Sequence, residues 1–579
     1  MPRLHIRLIF LNAEPLQYKS SDKLPSIETT MIGTSRTEYI FIKFCILVLH
    51  YLAPICLAYC ALIVALYGFK TAITSPVPLL IESVAVAESL FFLFVYLPYR
   101  YHLQSEAVHP PAPTRNERRE LFAQCNDNIA DPEAYLSKWF LGADLKDIKR
   151  ENVKEFLLWA FFNRGGPPGD DEEELEEYVD AMEVLVGKTI EAGRGKAQCL
   201  RLTLDRVDML HRSLVWYFCV GFVDFLTYMK LLYHGFHFHR TEFSRFFTLF
   251  PFRPQTILTK HRSPAKHTSY WHRPHTSKTK LPIVFIHGIG IGLYPYTNFL
   301  NELNSVDGLE PNDADEEVGI IAIEVMPVSF RITHSALGRA EMCSELKQIL
   351  TQHLLPNQKC VLVTHSYGSV LTTHLLKEPS TAALIGPVIL IDPVSILLHL
   401  PDVAYNFTRR QPKRANEHQL YYFASMDMGV SHTLSRHFFW NENVLWKKDI
   451  EERRVTVSLG GKDLIVNTEA VGKYLSEQKQ VTKSNMNNSG EATGVLVDFE
   501  GRNDSNRSSA SAEGTEAGDY SEAESDDTDI EEEEWKSRPW KGTDIDVLWF
   551  KDLDHAQVFD KPATRRRVID VITKYSNDG

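Results

Sequence analysis

From Phe44 to Tyr67 the chain runs 24 residues without a formal charge, FCILVLHYLAPICLAYCALIVALY. As a helix this stretch is roughly 36 Å long, enough to cross a hydrocarbon core of about 30 Å with some tilt. A signal peptide would sit nearer the terminus, be shorter and lead into a small-residue cleavage site, so the run reads as a membrane span. A second apolar run, Val77 to Tyr99, is also long enough but carries Glu82 and Glu88. A carboxylate inside a membrane helix costs a few kcal/mol unless it is protonated, paired or faces another helix. The short link between the runs, holding Lys70 and Pro76, predicts a helical hairpin with spans about 44–67 and 77–99.

Charge orients the hairpin. Arg3, Arg7, Lys19, Lys23 and Arg36 precede it, Arg100, Arg115, Arg118 and Arg119 follow it, and only Lys70 lies between. The positive-inside rule then places both ends, and the domain that follows, in the cytosol. A third apolar stretch, Ser213 to His234, is interrupted by Asp224 and Lys230 and followed by the basic run HGFHFHR. It fits equally a helix lying in the interface and a core helix of the downstream domain.

The rest of the chain is long enough for further structural units. Residues 1–38 read as a polar tail, 39–100 as the membrane hairpin, and 101–250 as a helical region opened by a Pro-rich, charged linker over 105–120. Residues 251–280, rich in His, Pro, Ser and Thr, read as an exposed connection. Thirteen acidic residues stand against one Arg507 between Asp504 and Glu534, which accounts for nearly all of the net charge of −13. The remainder is close to neutral, which excludes a nucleic-acid partner. The tract 484–543 is too polar to bury a core and reads as a disordered acidic insert. Ser521, Ser525 and Thr528 precede acidic residues there, as an acidophilic kinase would require, although plain solvation is the simpler reading. Eight cysteines without a CxxC pair point to a reducing compartment and to no structural metal, and no cofactor is expected.

From Leu281 short apolar runs alternate with helical ones: PIVFIHG, GIIAIEVM, KCVLVTHS, PVILIDP, RVTVSLG and IDVLWF. Strands spaced by helices such as 337–355 predict an α/β domain over 281–579, a mostly parallel sheet covered on both faces. Its chemistry lies in three places. In KCVLVTHSYGSV a buried strand runs into Ser366 and then a helix, the strained strand-to-helix turn that exposes a nucleophilic hydroxyl. Small residues are needed two positions either side. Gly368 meets that need, whereas Thr364 departs from it. In LPIVFIHGIGIG a strand leads into His287-Gly288-Ile289-Gly290, where backbone amides can approach an anionic oxygen. The amides of Ile289 and Tyr367 would form an oxyanion hole. His287, Gly288, Gly290 and Gly368 would support that loop and the turn.

The third place supplies the partners. Asp463 follows one strand in VTVSLGGKD and His555 follows the last in IDVLWFKDLDHAQVF, so Ser366, Asp463 and His555 stand in the order nucleophile, acid, base. Asp392, in PVILIDPVS, is an alternative acid at the end of the preceding strand. Asp552 and Asp554 crowd His555 on its own loop and read as solvated. His365, His432 and His437 default to packing or surface roles.

The stretch Leu281 to Lys574 resembles the α/β-hydrolase superfamily. More narrowly, HGIGIGLYPYTNFL, VTHSYGS, LIDPVSILLHLPDVAYNF and HTLSRHFFWNENVLW resemble a little-characterised family of eukaryotic membrane-anchored α/β-hydrolases. The resemblance implies a serine hydrolase with the roles above and no defined substrate. Residues 394–450, apolar and aromatic, stand where such folds carry a cap that roofs an apolar gorge. With a membrane hairpin upstream, the expectation is a membrane-anchored carboxylic-ester hydrolase acting on lipid-like acyl esters, with the bilayer and its lipid as partners. A thioesterase or amidase would use the same residues. An epoxide hydrolase would need Asp at position 366. The alternative from another class is a catalytically silent hydrolase fold serving as a membrane scaffold or ligand-binding protein.

Overall fold

The computed structural model describes residues 31–72, 76–303, 317–477 and 534–577. Its centre is an eight-stranded sheet: β1 (His237–His239), β2 (Tyr270–Arg273), β3 (Ile283–Ile286), β4 (Ile320–Ile323), β5 (Cys360–His365), β6 (Ile385–Ile391), β7 (Val455–Gly460) and β8 (Ile545–Phe550). The strand order is β1-β2-β4-β3-β5-β6-β7-β8. β2 runs antiparallel to β1 and β4, and every pair from β4 through β8 is parallel. Helices cover both faces, and this is the α/β-hydrolase fold. The alternation of β5 shows why the sheet must be sandwiched. Cys360 and Leu362 enter the core on one face, Val361 and Val363 the core on the other. Every residue of the strand is buried. A side chain of this size contributes about 1.5–3 kcal/mol when fully buried.

Six strands coincide with the six apolar runs, but the sheet begins earlier than residue 281. β1 and β2 lie in the stretches assigned to the helical region and to an exposed connection, and Tyr270 and Trp271 of β2 are fully buried. Three- and four-residue edge strands carrying histidines lack the apolar run that marks the central strands.

The helical region comprises α4 (Arg115–Asn126), α5 (Pro132–Trp139), α6 (Arg150–Phe162) and α7 (Glu172–Val186). Trp139, Phe156 and Trp159 share one core with Leu362, Leu390 and the aromatic residues of 394–450, so the region is packed onto the sheet domain.

Upstream lie α1 (Arg36–Ala72), α2 (Pro76–Phe91) and, after one π-helical turn, α3 (Leu97–His102). The helix α8 (Leu214–Tyr233) links the helical region to β1. Among the described residues three helices are long and apolar enough to cross a membrane: Arg36–Gly68, Ile81–His102 and Leu214–Tyr233. Glu88, one of the two carboxylates of the second, is buried and accepts hydrogen bonds from the amides of Leu214 (2.8 Å) and Val215 (3.0 Å). It thereby satisfies two orphan donors at the N-terminus of α8, where the helix dipole favours a negative charge.

α8 reverses the usual amphipathic pattern. Phe218, Phe222, Phe225 and Met229 are exposed along one stripe, while Asp224 is buried on the opposite side. There Asp224 pairs with Arg253 (2.9 Å) and Arg331 (2.8 Å), and Arg253 also pairs with Glu324 (2.7 Å). The inner face of α8 is therefore locked to the sheet domain by charge, and its outer face is apolar.

The acidic tract 484–533 lies outside the described residues. Residues 534–543, expected to belong to it, pack instead. Trp535 is buried against Gly472 and Trp549, and Trp540 stands 5.7 Å from the Tyr575 ring. Two tryptophans beside charged neighbours outweigh the polar composition of that end.

Candidate active site

β5 ends at His365, and the helix Gly368–Lys377 starts three residues later. Ser366, between them, has a φ of 51°, the left-handed region that a non-glycine residue enters only under constraint. The constraint is visible: its amide donates to Ile391 O (2.9 Å) and its carbonyl accepts from Ser369 Oγ (2.7 Å). A Cβ on Gly368 would lie 2.6 Å from Ile286 O, so only glycine fits between helix and strand. Thr364, the departure from a small residue, is fully buried, and its hydroxyl pairs with that of Thr372 at 2.9 Å. Its Cβ comes within 3.2 Å of where a Cβ on Gly368 would stand, so the absence of a side chain at 368 makes room for it.

The loop after β3 passes directly over this turn. A Cβ on Gly288 would lie 2.7 Å from Ser366 Cβ. Gly290 has open space around it, so its place there has no steric reason. His287 is fully buried, with Nδ1 donating to Gly288 O (2.7 Å) and Nε2 accepting from Val325 N (2.9 Å). Both ring nitrogens are thus committed to the backbone, which fixes the loop and leaves none for proton transfer. The amides of Ile289 and Tyr367 take part in none of the hydrogen bonds between described residues, and both residues line the cavity at Ser366.

His555 Nε2 stands 2.8 Å from Ser366 Oγ, and its Nδ1 donates to Asp463 Oδ2 at 2.7 Å. The Asp463 side chain is fully covered, and its other oxygen accepts from the amides of Ile465 (2.7 Å) and Val466 (2.9 Å). Asp392 also reaches this cluster but not the ring. Its oxygens accept from Gly460 N (3.2 Å) and Ala556 N (2.9 Å), tying the loops after β7 and β8 to the end of β6. Burial acts against a charged imidazole, but Asp463, with Asp392 and Asp554 adding to it, holds His555 up at about 9. Burial raises the Asp392 carboxyl to about 7, opposed by His555 and reinforced by Asp463.

Two neighbours have roles the sequence did not disclose. Asp554, expected to be solvated, accepts from Asn416 of the cap (2.7 Å), Leu464 N (2.9 Å) and His555 N (2.7 Å). It joins the cap, the acid loop and the histidine loop, whereas Asp552 is exposed beside Lys462. His365 is buried with Nδ1 on the Tyr296 hydroxyl (2.8 Å), and Nε2 is 3.9 Å from Asp392. Burial keeps it neutral. His432 and His437 pack against each other in the cap. The local pattern around Asp554 held no signal of these contacts, because two of its three partners come from distant loops.

Two further clusters among the described residues bring three metal-ligating side chains together: His239, His272 and His353, and His267, Glu341 and Glu345. In the first, the Tyr270 hydroxyl already bonds His239 Nδ1 (2.9 Å) and His353 Nε2 (2.8 Å). In the second, Glu345 is engaged by His267 N (2.9 Å) and Thr268 Oγ1 (2.6 Å).

No family model matches this chain, and no curated protein matches it. Solved structures overlay loosely. A membrane phospholipase A described as a bacterial virulence factor is 8% identical, with 63% of this chain and 94% of that one covered, at a TM-score of 0.32. Carboxylesterase CesB from Bacillus subtilis is 11% identical over 61% and 99%, at 0.30. An esterase from Rhodococcus is 13% identical over 54% and 96%, at 0.30. At such scores the overlays carry no argument about activity. The fold rests on the strand order itself, and the chemistry on the side chains.

Proposed function

We propose that this protein is a membrane-anchored serine hydrolase that cleaves carboxylic esters of lipid-like acyl chains. The observation that carries the reading is the continuous relay Ser366 Oγ, His555 Nε2, His555 Nδ1, Asp463 Oδ2, at 2.8 Å and 2.7 Å, on a serine held at positive φ. In this scheme His555 takes the Ser366 proton as Oγ attacks the ester carbonyl. The tetrahedral oxyanion is held by the amides of Ile289 and Tyr367, each such donor contributing about 3 kcal/mol. Collapse breaks the bond to the alcohol oxygen, which leaves with the proton from His555. Water, deprotonated by His555, then hydrolyses the acyl-enzyme and restores Ser366. Asp463 fixes the imidazole orientation and stabilises its cation.

The hairpin of α1 with α2 and α3 is read as the anchor, and the excess of Lys and Arg on either side of it supports a cytosolic catalytic domain. α8, with its charged inner face and aromatic outer face, is read as lying along the membrane surface.

The test is labelling of detergent-extracted full-length protein with a fluorophosphonate probe, wild type beside Ser366→Ala. Labelling that vanishes in the variant supports the reading. An unlabelled, folded wild type overturns it, and labelling that persists in the variant moves the nucleophile elsewhere.

A further inference from the structure

Ser366 lines two cavities, and they differ in kind. One is a narrow slot of about 50 Å³ walled by Trp139 and Trp159 of the helical region and by Phe407, Phe438 and Trp440 of the cap. The other is a chamber of about 350 Å³ that reaches Met31 and Ile32 before α1, Trp216 of α8, and Leu420 and Phe423 of the cap. His555 lines the chamber and not the slot. This division sets the direction of an ester. With the carbonyl carbon on Oγ and its oxygen toward the Ile289 and Tyr367 amides, the leaving oxygen must meet His555 Nε2 to be protonated. The alcohol half therefore lies in the chamber, and the acyl side of the carbonyl faces the slot.

The charges around the chamber then bear on the alcohol. Its lining holds two carboxylates, Asp554 and Asp560, and no lysine or arginine. Asp554 is committed to Asn416, Leu464 N and His555 N, and Asp560 accepts from Met31 N at 2.9 Å. Asp554 lies deep in the lining beside Leu464 and His555, whereas Asp560 is half-buried, with Arg565 and Lys561 near enough to oppose the rise that burial gives its carboxyl. A phosphate there would stand beside two acids with no lysine or arginine in the lining to pair with it, in a mostly apolar enclosure. An uncharged alcohol would meet amides (Asn416, Gln419, Gln557) and apolar walls.

Building on the proposed hydrolase activity, we infer that the substrate is an uncharged lipid ester, the first carbons of its acyl chain facing the slot at Trp139 and Trp159 and its neutral alcohol half in the chamber beside Met31 and Ile32. Phospholipids are excluded by charge.

The test compares esters of one acyl chain on the full-length protein in uncharged detergent. 1-Oleoylglycerol, 1-oleoyl-lysophosphatidylcholine and 1-oleoyl-lysophosphatidate are assayed for oleate release, with fluorophosphonate labelling to count active sites. kcat/KM for the glycerol ester should exceed that for either phosphate ester by at least about 100-fold. Asp560→Lys, remote from the reacting atoms, should narrow the gap to the lysophosphatidate by about tenfold. Equal or faster release from a phosphate ester overturns the inference while leaving the serine hydrolase intact. So does a labelled enzyme that releases oleate from none of the three, or an unchanged ratio in Asp560→Lys. A wild type that is not labelled removes the hydrolase reading and this inference with it.

Discussion

The turns that end β6 and β7 present the same residue to the same loop, with different results. Each strand finishes in a buried aspartate beside His555. Asp463, after β7, reaches the imidazole Nδ1. Asp392, after β6, reaches only the backbone: Gly460 N on one side, Ala556 N on the other. Asp392 itself is held at a φ of 44°, and Ala556 at 66°. The acid after β6 thus holds the loop that carries the histidine, while the acid after β7 holds the ring. A carboxylate near a histidine is assigned by the atom it contacts, and two neighbours about equally buried can divide orientation of the ring from placement of the loop.

Four measurements bear on this division. The largest effect is expected from Asp463→Asn, which keeps the shape but loses the charge and the imidazole orientation; ester turnover should fall by about 10³–10⁴-fold. Asp392→Asn should lower the high-pH plateau of kcat/KM by no more than about tenfold, since the ring contact survives. If Asp392→Asn is the more damaging of the two, the roles are exchanged.

The pH profile sharpens the comparison. In the proposed scheme His555 serves as a base only when neutral, and it retains its proton up to about 9, so wild-type kcat/KM should rise with pH and level off above that value. A negative neighbour raises an imidazole, so removing the charge of Asp392 should move the midpoint down toward the ordinary value of 6.5. An unmoved midpoint would mean that Asp392 is neutral when the enzyme works. The raised His555 also contributes stability that is complete below pH about 6.5 and lost as pH rises through about 9, visible as a fall in thermal midpoint over that window that His555→Gln should lack.

The smallest effect is expected from Asn416→Ala, which removes the cap's hydrogen bond to Asp554. It should cost about 1 kcal/mol of stability and a few-fold in turnover. A loss as large as that of Asp392→Asn would place the cap, rather than β6, in charge of the histidine loop.

Much of this arrangement is legible in the sequence because it is local. A run such as KCVLVTH can only be a buried strand, and Ser366 followed by Gly368 marks a turn whose tightness is dictated within five residues. The histidine on the last strand's loop follows from chain order alone. What escapes is what depends on partners far apart. β1 and β2 are too short and too rich in histidine to announce themselves, yet they complete the sheet edge. Asp554 reads as solvated beside Asp552 because nothing near it says that Asn416 and Leu464 will close over it. Trp535 and Trp540 stand at the end of a tract whose composition points to solvent, and they are ordered by Gly472, Trp549 and Tyr575.

The long apolar helices draw the same line. An uncharged run of 24 residues leaves the stretch from Phe44 few options, because every backbone polar group must be satisfied within the helix once side chains demand an apolar surround. Composition was sufficient there to mark a helix long and apolar enough to cross a membrane, as period and composition were for the six central strands. For the stretch after Ser213 they were not. Only the packed structure turns Asp224 inward onto Arg253 and Arg331, places Glu88 under the first amides of α8, and leaves the phenylalanines outside. Residue spacing fixes which side chains share a face. Whether that face meets protein or an apolar medium is decided by the charges brought to it from elsewhere in the chain, since an ion buried without its partner costs more than an exposed phenylalanine.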